Sequence, residues 1–342
     1  MMRPLLVTRC SIRLNAMARR LTGAAKQTQN LVTRRAARQL TGTAKQTQSL
    51  VKHLTVREVA AGRFQGNSVE LGWGRVYGGQ TMSQALDAAH RTAPGRVVHS
   101  FTSYFYRPGR TDEPMDFAVE ALSDGRALAC RRVTASQKGV DIFSMLCSLQ
   151  SASAAPARPL EHQRPLTAPP PDDWRPEAVP TLQERMRPHE HLLPTPLRKI
   201  YLNDASPFEL RQRDFTAPSE TGASEPCTSS FLKLAAPVGD DAALHARLLA
   251  YISDWGFIST ALRPHEGISN YARGVQLATI SHGVTYHRAD LLRLDEDYVL
   301  VRHRSPSASQ GRGFVVAEFF ARDGTLLASA QQEGVVRVLM DK

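Results

Sequence analysis

Residues 248–262, LLAYISDWGFISTAL, hold one carboxylate, Asp254, inside a run of apolar and aromatic side chains. On a helical period its neighbours three and four positions away are Ala250, Tyr251, Phe257 and Ile258, so the stretch is predicted to be a buried helix with Asp254 on its apolar face. Burying an unpaired carboxylate is costly. A carboxylate in a partly dry pocket orients or deprotonates water, with a pKa raised by desolvation and lowered by hydrogen bonds. A structural aspartate, paired with an arginine or capping a kink at Gly256, is the alternative these residues leave open.

The other chemical signals are weaker. GWGRVYGG at 72–79 is glycine-dense but lacks G-x-G-x-x-G and the GK[ST] of a phosphate loop, so it reads as a turn before a helix. The two histidines of HEH at 189–191 do not share a helical face, and no metal is expected there. His99 and His282 suggest a nucleophilic triad, but no G-x-S-x-G elbow accompanies them, and both read as structural or groove-lining. Cys10, Cys130, Cys147 and Cys227 form no C-x-x-C pair and no apolar signal core precedes them, which predicts a reduced, intracellular protein. No run of 18 apolar residues predicts a transmembrane helix, and the terminal RVLMDK is not a peroxisomal address.

The elements that would position Asp254 repeat along the chain. A helical stretch at 81–93 is followed by four strand-like runs, VVHSFTSYFYR, MDFAVEALS, ALACRRVTASQ and VDIFSMLCSLQ. After a short strand, SSFLKLA, the helix around Asp254 is followed by four more: VQLATISHGVTYHR, YVLVRHRSPSA, RGFVVAEFFAR and TLLASAQQEGVVRVL. Arg107 and Arg288 fall at matching junctions and Gly139 and Gly324 at matching turns, which indicates an internal duplication. Thirteen of the 21 prolines lie between 153 and 225, marking a linker with one short helix, TLQERM. One long helix leading into an antiparallel sheet that wraps it is the hot-dog arrangement, and it places Asp254 in or at the mouth of an internal groove.

The formal charge of +11 is not that of a nucleic-acid groove. Residues 1–56 carry eleven basic side chains and no acidic one, and the remainder balances 32 Lys and Arg against 32 Asp and Glu. Within this tail ARRLTGAAKQTQNLV at 18–32 returns as ARQLTGTAKQTQSLV at 37–51. Two readings stand: a tandem duplication forming mobile or loosely helical segments, or an Arg-rich mitochondrial presequence. A start at Met17 is a further possibility.

VYGGQTMSQAL, VHSFTSYFYRPG, RRVTASQKGVDIF, YISDWGF, VQLATISHGVTYHR and ASAQQEGVVR, in this order, resemble the acyl-CoA thioesterase II (TesB-type) double hot-dog family from about residue 50 to 340. The basic tail and the proline-rich linker depart from its pattern without touching the motifs. The resemblance implies an α+β double hot-dog fold. It divides the chain into a tail at 1–56, a first hot-dog domain at 57–152, the linker at 153–225 and a second hot-dog domain at 226–342. It implies hydrolysis of fatty acyl-CoA to free acid and coenzyme A, without metal or organic cofactor. The catalytic Asp, Thr and Gln would be Asp254, Thr279 and Gln332, holding one water, with the oxyanion on backbone N–H groups at a helix N-terminus. The first block has Gln80 and Gln84 near its helix start but no carboxylate before Asp87, so one active site per chain is expected.

The partners so implied are an acyl-CoA substrate and further copies of the chain, as dimer or tetramer, with no nucleic acid. The expected location is the cytoplasm, or the mitochondrial matrix if the tail is a presequence. A hot-dog enoyl-CoA hydratase or dehydratase would use an Asp/His pair after the helix; TALRPHEGISN holds His265 and Asn270 but no such Asp. A non-catalytic acyl-CoA-binding protein would be marked by loss of Asp254, Thr279 or Gln332, and all three are present.

Overall fold

The computed structural model describes residues 42–72, 74–151, 160–163, 175–220, 222–268 and 274–338. The tail before residue 42, with Cys10, Met17 and the first copy of its repeat, lies outside the described residues, as do APPPDDW and Asn270.

The described strands are β1 (Arg57–Ala60), β2 (Arg63–Gly66), β3 (Arg96–Phe105), β4 (Met115–Asp124), β5 (Leu128–Gln137), β6 (Val140–Ser151), β7 (Phe208–Gln212), β8 (Cys227–Leu234), β9 (Val275–Tyr286), β10 (Val299–Ser309), β11 (Arg312–Phe320) and β12 (Leu326–Val338). They form one antiparallel sheet in the order β1-β2-β4-β5-β6-β3-β9-β12-β11-β10-β8-β7. The second block reads outward from β9 as the first reads outward from β3, and the two meet where Thr102 pairs with Gly283.

The equivalence extends to single bonds. The N–H groups of Tyr106 and Arg107 both donate to Ile142 O (2.8 and 3.3 Å), and those of His287 and Arg288 both donate to Leu327 O (2.8 and 3.1 Å). Each block also carries a β-bulge at the same place. Val98 pairs with Leu149 and Ser100 with Ser148, skipping His99; Thr279 pairs with Gly334 and Ser281 with Glu333, skipping Ile280. Lys138–Gly139 and Gly324 make the expected turns with positive φ, at 49°, 76° and 86°.

Among the described residues five α-helices accompany the sheet, together with short 3-10 turns: α1 (42–54), α2 (Gly78–Arg91), α3 (Leu182–Met186), α4 (Thr195–Tyr201) and α5 (Ala242–Ser253). Every residue of α2 from Gly79 to Ala89 is buried, and every residue of α5 from Leu244 to Ser253. Met82, Ala85, Leu86, Ala89, Leu248, Leu249 and Ile252 enter one core with inward side chains of both sheet halves. The helices run antiparallel, Gly79 against Tyr251 near one end and Asp87 against Arg247 near the other. Asp87 Oδ1 lies 2.6 Å from Arg247 Nη1, while Oδ2 accepts from Val56 N–H (2.8 Å) and Arg91 Nε (3.3 Å), so this buried carboxylate has a structural role.

Three expectations are corrected. The tail does not extend to residue 56: residues 42–54 are α1, which places Thr43, Thr47, Leu50 and Leu54 on one buried stripe. The helix around Asp254 does not run from 248 to 262; it starts at Ala242, behind an Asp241 cap that accepts from Ala243 N–H at 2.9 Å, and ends at Ser253. Gly256, at φ 66°, turns the chain into a separate 3-10 turn, Ile258–Leu262. The stretch at 153–225 is more than a linker. It holds α3, closed by a Thr181–Glu184 capping box, α4 and the edge strand β7, with Leu182, Met186, Leu193, Leu197 and Tyr201 in a small core of their own.

Because Leu54 is fully buried in the main core, Leu54→Ala is expected to destabilise the protein by about 2–5 kcal/mol. Lys52→Ala, on the exposed side of the same helix, should stay within about 0.5 kcal/mol. Urea midpoints of the two variants compare them directly. Equal midpoints would mean that α1 does not belong to the cooperative unit.

Candidate active site

Asp254 is the C-terminal cap of α5, and the antiparallel crossing brings it against the first turn of α2. Tyr77, the N-cap of α2, offers no side-chain hydrogen bond to that turn. The Asp254 carboxylate supplies it from the other helix: Gly79 N–H donates to Oδ2 at 3.0 Å. The approach requires glycine at both positions. A Cβ on Gly78 would lie 2.7 Å from Asp254 Oδ2, and one on Gly79 only 2.1 Å from Tyr251 O.

Two strands reach the same carboxylate. Thr279 Oγ1 on β9 donates to Asp254 Oδ1 at 3.2 Å, and Gln332 Nε2 on β12 donates to the same oxygen at 2.5 Å. The structure therefore brings together all three side chains singled out above, although 78 positions separate the outer pair. Thr279 arrives through the bulge. His282, paired with Gln332, points inward, and strict alternation from it would turn Ile280 inward and Thr279 outward. Skipping Ile280 reverses this and aims Thr279 at the carboxylate.

Gln332 has two amide hydrogens and three acceptors in reach: Asp254 Oδ1, Thr279 Oγ1 at 3.1 Å and His282 Nδ1 at 3.2 Å. Thr279 spends its own hydrogen on Asp254, so the amide hydrogens are assigned to Asp254 and His282. Ser253 Oγ donates to Ala250 O (3.0 Å), so His282 Nε2–H donates to Ser253 Oγ (2.9 Å). His282 is then the neutral Nε2–H tautomer, in keeping with a pKa pushed down to about 3 by burial and, secondarily, by His303. Gln332 Oε1 stays buried without a partner, but flipping the amide would turn oxygen against both the carboxylate and His282 Nδ1.

Desolvation raises the Asp254 pKa from 3.8 to about 6, against the opposing hydrogen bonds from Gln332, Thr279 and Gly79 and the charge of Arg75. A cavity of about 380 Å³ opens beside it, bordered by Asp254, Thr279, Gly78, Phe105, Trp255 and Arg75. Gln332, 1% exposed, lies behind the carboxylate and does not border this space. The arrangement can hold a water on a partly dry carboxylate at a helix N-terminus, where a developing anion is also favoured.

The remaining candidates lie elsewhere. His99 sits on the bulge of β3 with Nε2 2.8 Å from Ser148 Oγ, and His265 is exposed. Gln80 and Gln84 donate to Asn67 O, and Gln84 also to His53 O, tying α2 to its surroundings. The Gly79 N–H and the Ser253–His282 link were missed in sequence; the adjacent glycines of VYGGQ were the only signal for the former. Among the described residues no group of three or more His, Cys, Asp or Glu side chains could hold a metal ion.

Residues 69–150 match the acyl-CoA thioesterase N-terminal domain and residues 206–335 match acyl-CoA thioesterase. The chain is 33% identical over 276 residues to acyl-CoA thioesterase 2 of Haemophilus influenzae, covering 80% of this chain and 92% of the relative. It is 32% identical over 279 residues to acyl-coenzyme A thioesterase 8 of Mus musculus, covering 77% and 81% respectively. The solved acyl-CoA thioesterase II TesB2 of Mycobacterium marinum superimposes with a TM-score of 0.64 at 28% identity, covering 86% of this chain and 99% of that one. Two sequence matches in tandem, one on each sheet half, and relatives alike over most of their length carry one conclusion: the chain is a thioester hydrolase that belongs to the TesB-type acyl-CoA thioesterase family of double hot-dog proteins.

Proposed function

We propose that the protein hydrolyses fatty acyl-CoA at Asp254, with Thr279 and Gln332 completing the site. The observation that carries this reading is a desolvated carboxylate held by three donors at the mouth of a cavity into which a thioester could reach. Asp254 accepts a proton from water as the water oxygen attacks the thioester carbonyl. Thr279, on the cavity wall, holds the same water. Gln332 acts from behind, fixing the carboxylate rotamer and favouring its charged form.

The oxyanion needs a fixed donor. In the first turn of α2 the Gly79 N–H is occupied by Asp254, and those of Gln80 and Thr81 bond Tyr77 O at 3.0 and 3.3 Å. Gly78 borders the cavity, and its N–H is the donor we assign to the oxyanion. Collapse breaks the C–S bond, the thiolate takes the proton from the Asp254 carboxyl, and free acid and coenzyme A leave. The direct test is release of free CoA from palmitoyl-CoA, followed with a thiol reagent; no release from folded protein would sink the assignment.

Three measurements address the residues. Asp254→Asn keeps size and removes charge, so kcat should fall by roughly 10²–10⁴ with little change in KM; a folded variant near the wild-type rate would make Asp254 structural.

The pH profile follows from the sign of the shift. The working form is ionised, so kcat/KM should fall as pH drops through about 6 and be level above it. Gln332→Ala removes a donor to the charged form, so its acid limb should move to higher pH; an unmoved limb would argue that Gln332 does not act through Asp254.

Thr279→Ala and Gln332→Ala should each cost about 1–3 kcal/mol of transition-state stabilisation. Because both donate to one oxygen, the double variant should be less impaired than the sum by at least about 0.5 kcal/mol. Additive losses would separate their roles.

A further inference from the structure

The cavity at Asp254 ends against an aromatic wall. Trp255, the residue after Asp254, meets Tyr77 edge to face at 6.3 Å and Tyr201 of α4 at 5.7 Å. On the far side lies a second cavity of about 400 Å³, and Trp255 and Tyr201 border both. The second space is roofed by the segment between the sheet halves and floored by α5, with Leu182, Ile200, Phe208, Leu210, Tyr251 and Ile252 among its walls. The aromatic contacts continue into it: Tyr77 packs on Tyr251 at 5.1 Å, and Tyr251 stacks on Phe208 at 6.0 Å. Each cavity falls in the range of roughly 300–1,000 Å³ usual for small-molecule sites.

We propose that the second cavity receives the far end of the acyl chain, and that the Trp255–Tyr201 wall decides how long a chain the enzyme accepts. The inference rests on the thioesterase reading above. Two observations choose the acyl chain over the coenzyme arm. The walls on this side are mostly aliphatic and aromatic, with Glu70, Gln183, Thr195, Lys199, Asn203 and Ser206 as the polar exceptions, which suits a hydrocarbon better than the amides of a pantetheine. The first cavity is bordered by two arginines, Arg75 and Arg107, whereas the one cation of the second, Lys199, shares its lining with Glu70, so a phosphorylated group is drawn to the first side. With Asp254 and Trp255 adjacent in sequence, a chain whose carbonyl sits at the carboxylate meets the wall directly. The segment carrying α3 and α4 then sets substrate choice as well as joining the halves.

Two variants test this from opposite sides. Trp255→Ala opens the wall and should raise the ratio of kcat/KM for hexadecanoyl-CoA over butyryl-CoA at least tenfold. Ile200→Trp fills the second cavity from α4, away from Asp254, and should lower the same ratio at least tenfold. Ratios unchanged in both variants, with each folded by circular dichroism, would overturn the proposal. Calorimetric titration of the intact protein with hexadecanoate separates this outcome from failure of the thioesterase reading. Even if the wild type released no CoA from any substrate, Ile200→Trp should bind hexadecanoate at least tenfold more weakly. Equal affinity, or no binding to the wild type, would overturn the acyl subsite independently.

Discussion

The hydrogen bond from Gly79 N–H to Asp254 is the contact on which the site's geometry depends. It forms only because two helices cross with backbone against backbone, and that crossing in turn needs the glycines at 78 and 79. An aspartate at the end of α5 thereby caps α2, and its negative charge sits at the positive end of that helix, an arrangement worth roughly 0.3–1 kcal/mol. Toward the other end of the crossing the contact is an ion pair instead of a cap: Asp87 of α2 pairs with Arg247 of α5. Between these two carboxylates the helices are buried too completely to slide, so the position of Asp254 is fixed by the packing of the whole core.

The ionisation of Asp254 is a contest between burial and donors. Burial wins in part, leaving the pKa near 6 rather than 3.8. The folded state therefore holds this proton more tightly than the unfolded chain, and ionising the group withdraws stability as pH rises from 3.8 toward 6. His282 does not relieve the deficit with a charge of its own, since burial keeps it neutral and it serves as acceptor for Gln332. At neutral pH the carboxylate is charged at the expense of the fold that surrounds it.

Much of this was legible in the residues. The strand runs, the paired turns at Gly139 and Gly324 and the equivalence of Arg107 with Arg288 gave the duplicated sheet, because turn chemistry and period-two burial are local. Asp254 stood out as a charge in an apolar run, although its place at the helix end was hidden: Trp255, Phe257 and Ile258 continue the apolar pattern past the stop at Gly256. Thr279 could not be derived from alternation, since a bulge turns it inward, and only likeness to a family pointed to it. In α1 two of the four buried stripe positions are threonine, so the helix read as a polar tail. In the connecting segment the TLQERM helix, α3, was legible from its local capping pattern, whereas prolines masked α4 and β7, whose contacts are long-range.

The bulge is present in both halves, and the side chains it turns inward differ. Where the second half has Thr279, His282, Gln332 and Gly334, the first has Val98, Phe101, Cys147 and Leu149, all buried. The kink in the backbone is thus independent of which side chains it turns inward. The first half fills the equivalent volume with apolar side chains, while the second places polar groups there. Because both halves pack into one core, the apolar volume of the first half and the polar pocket of the second are parts of a single folding unit, and neither can be altered without loading the other.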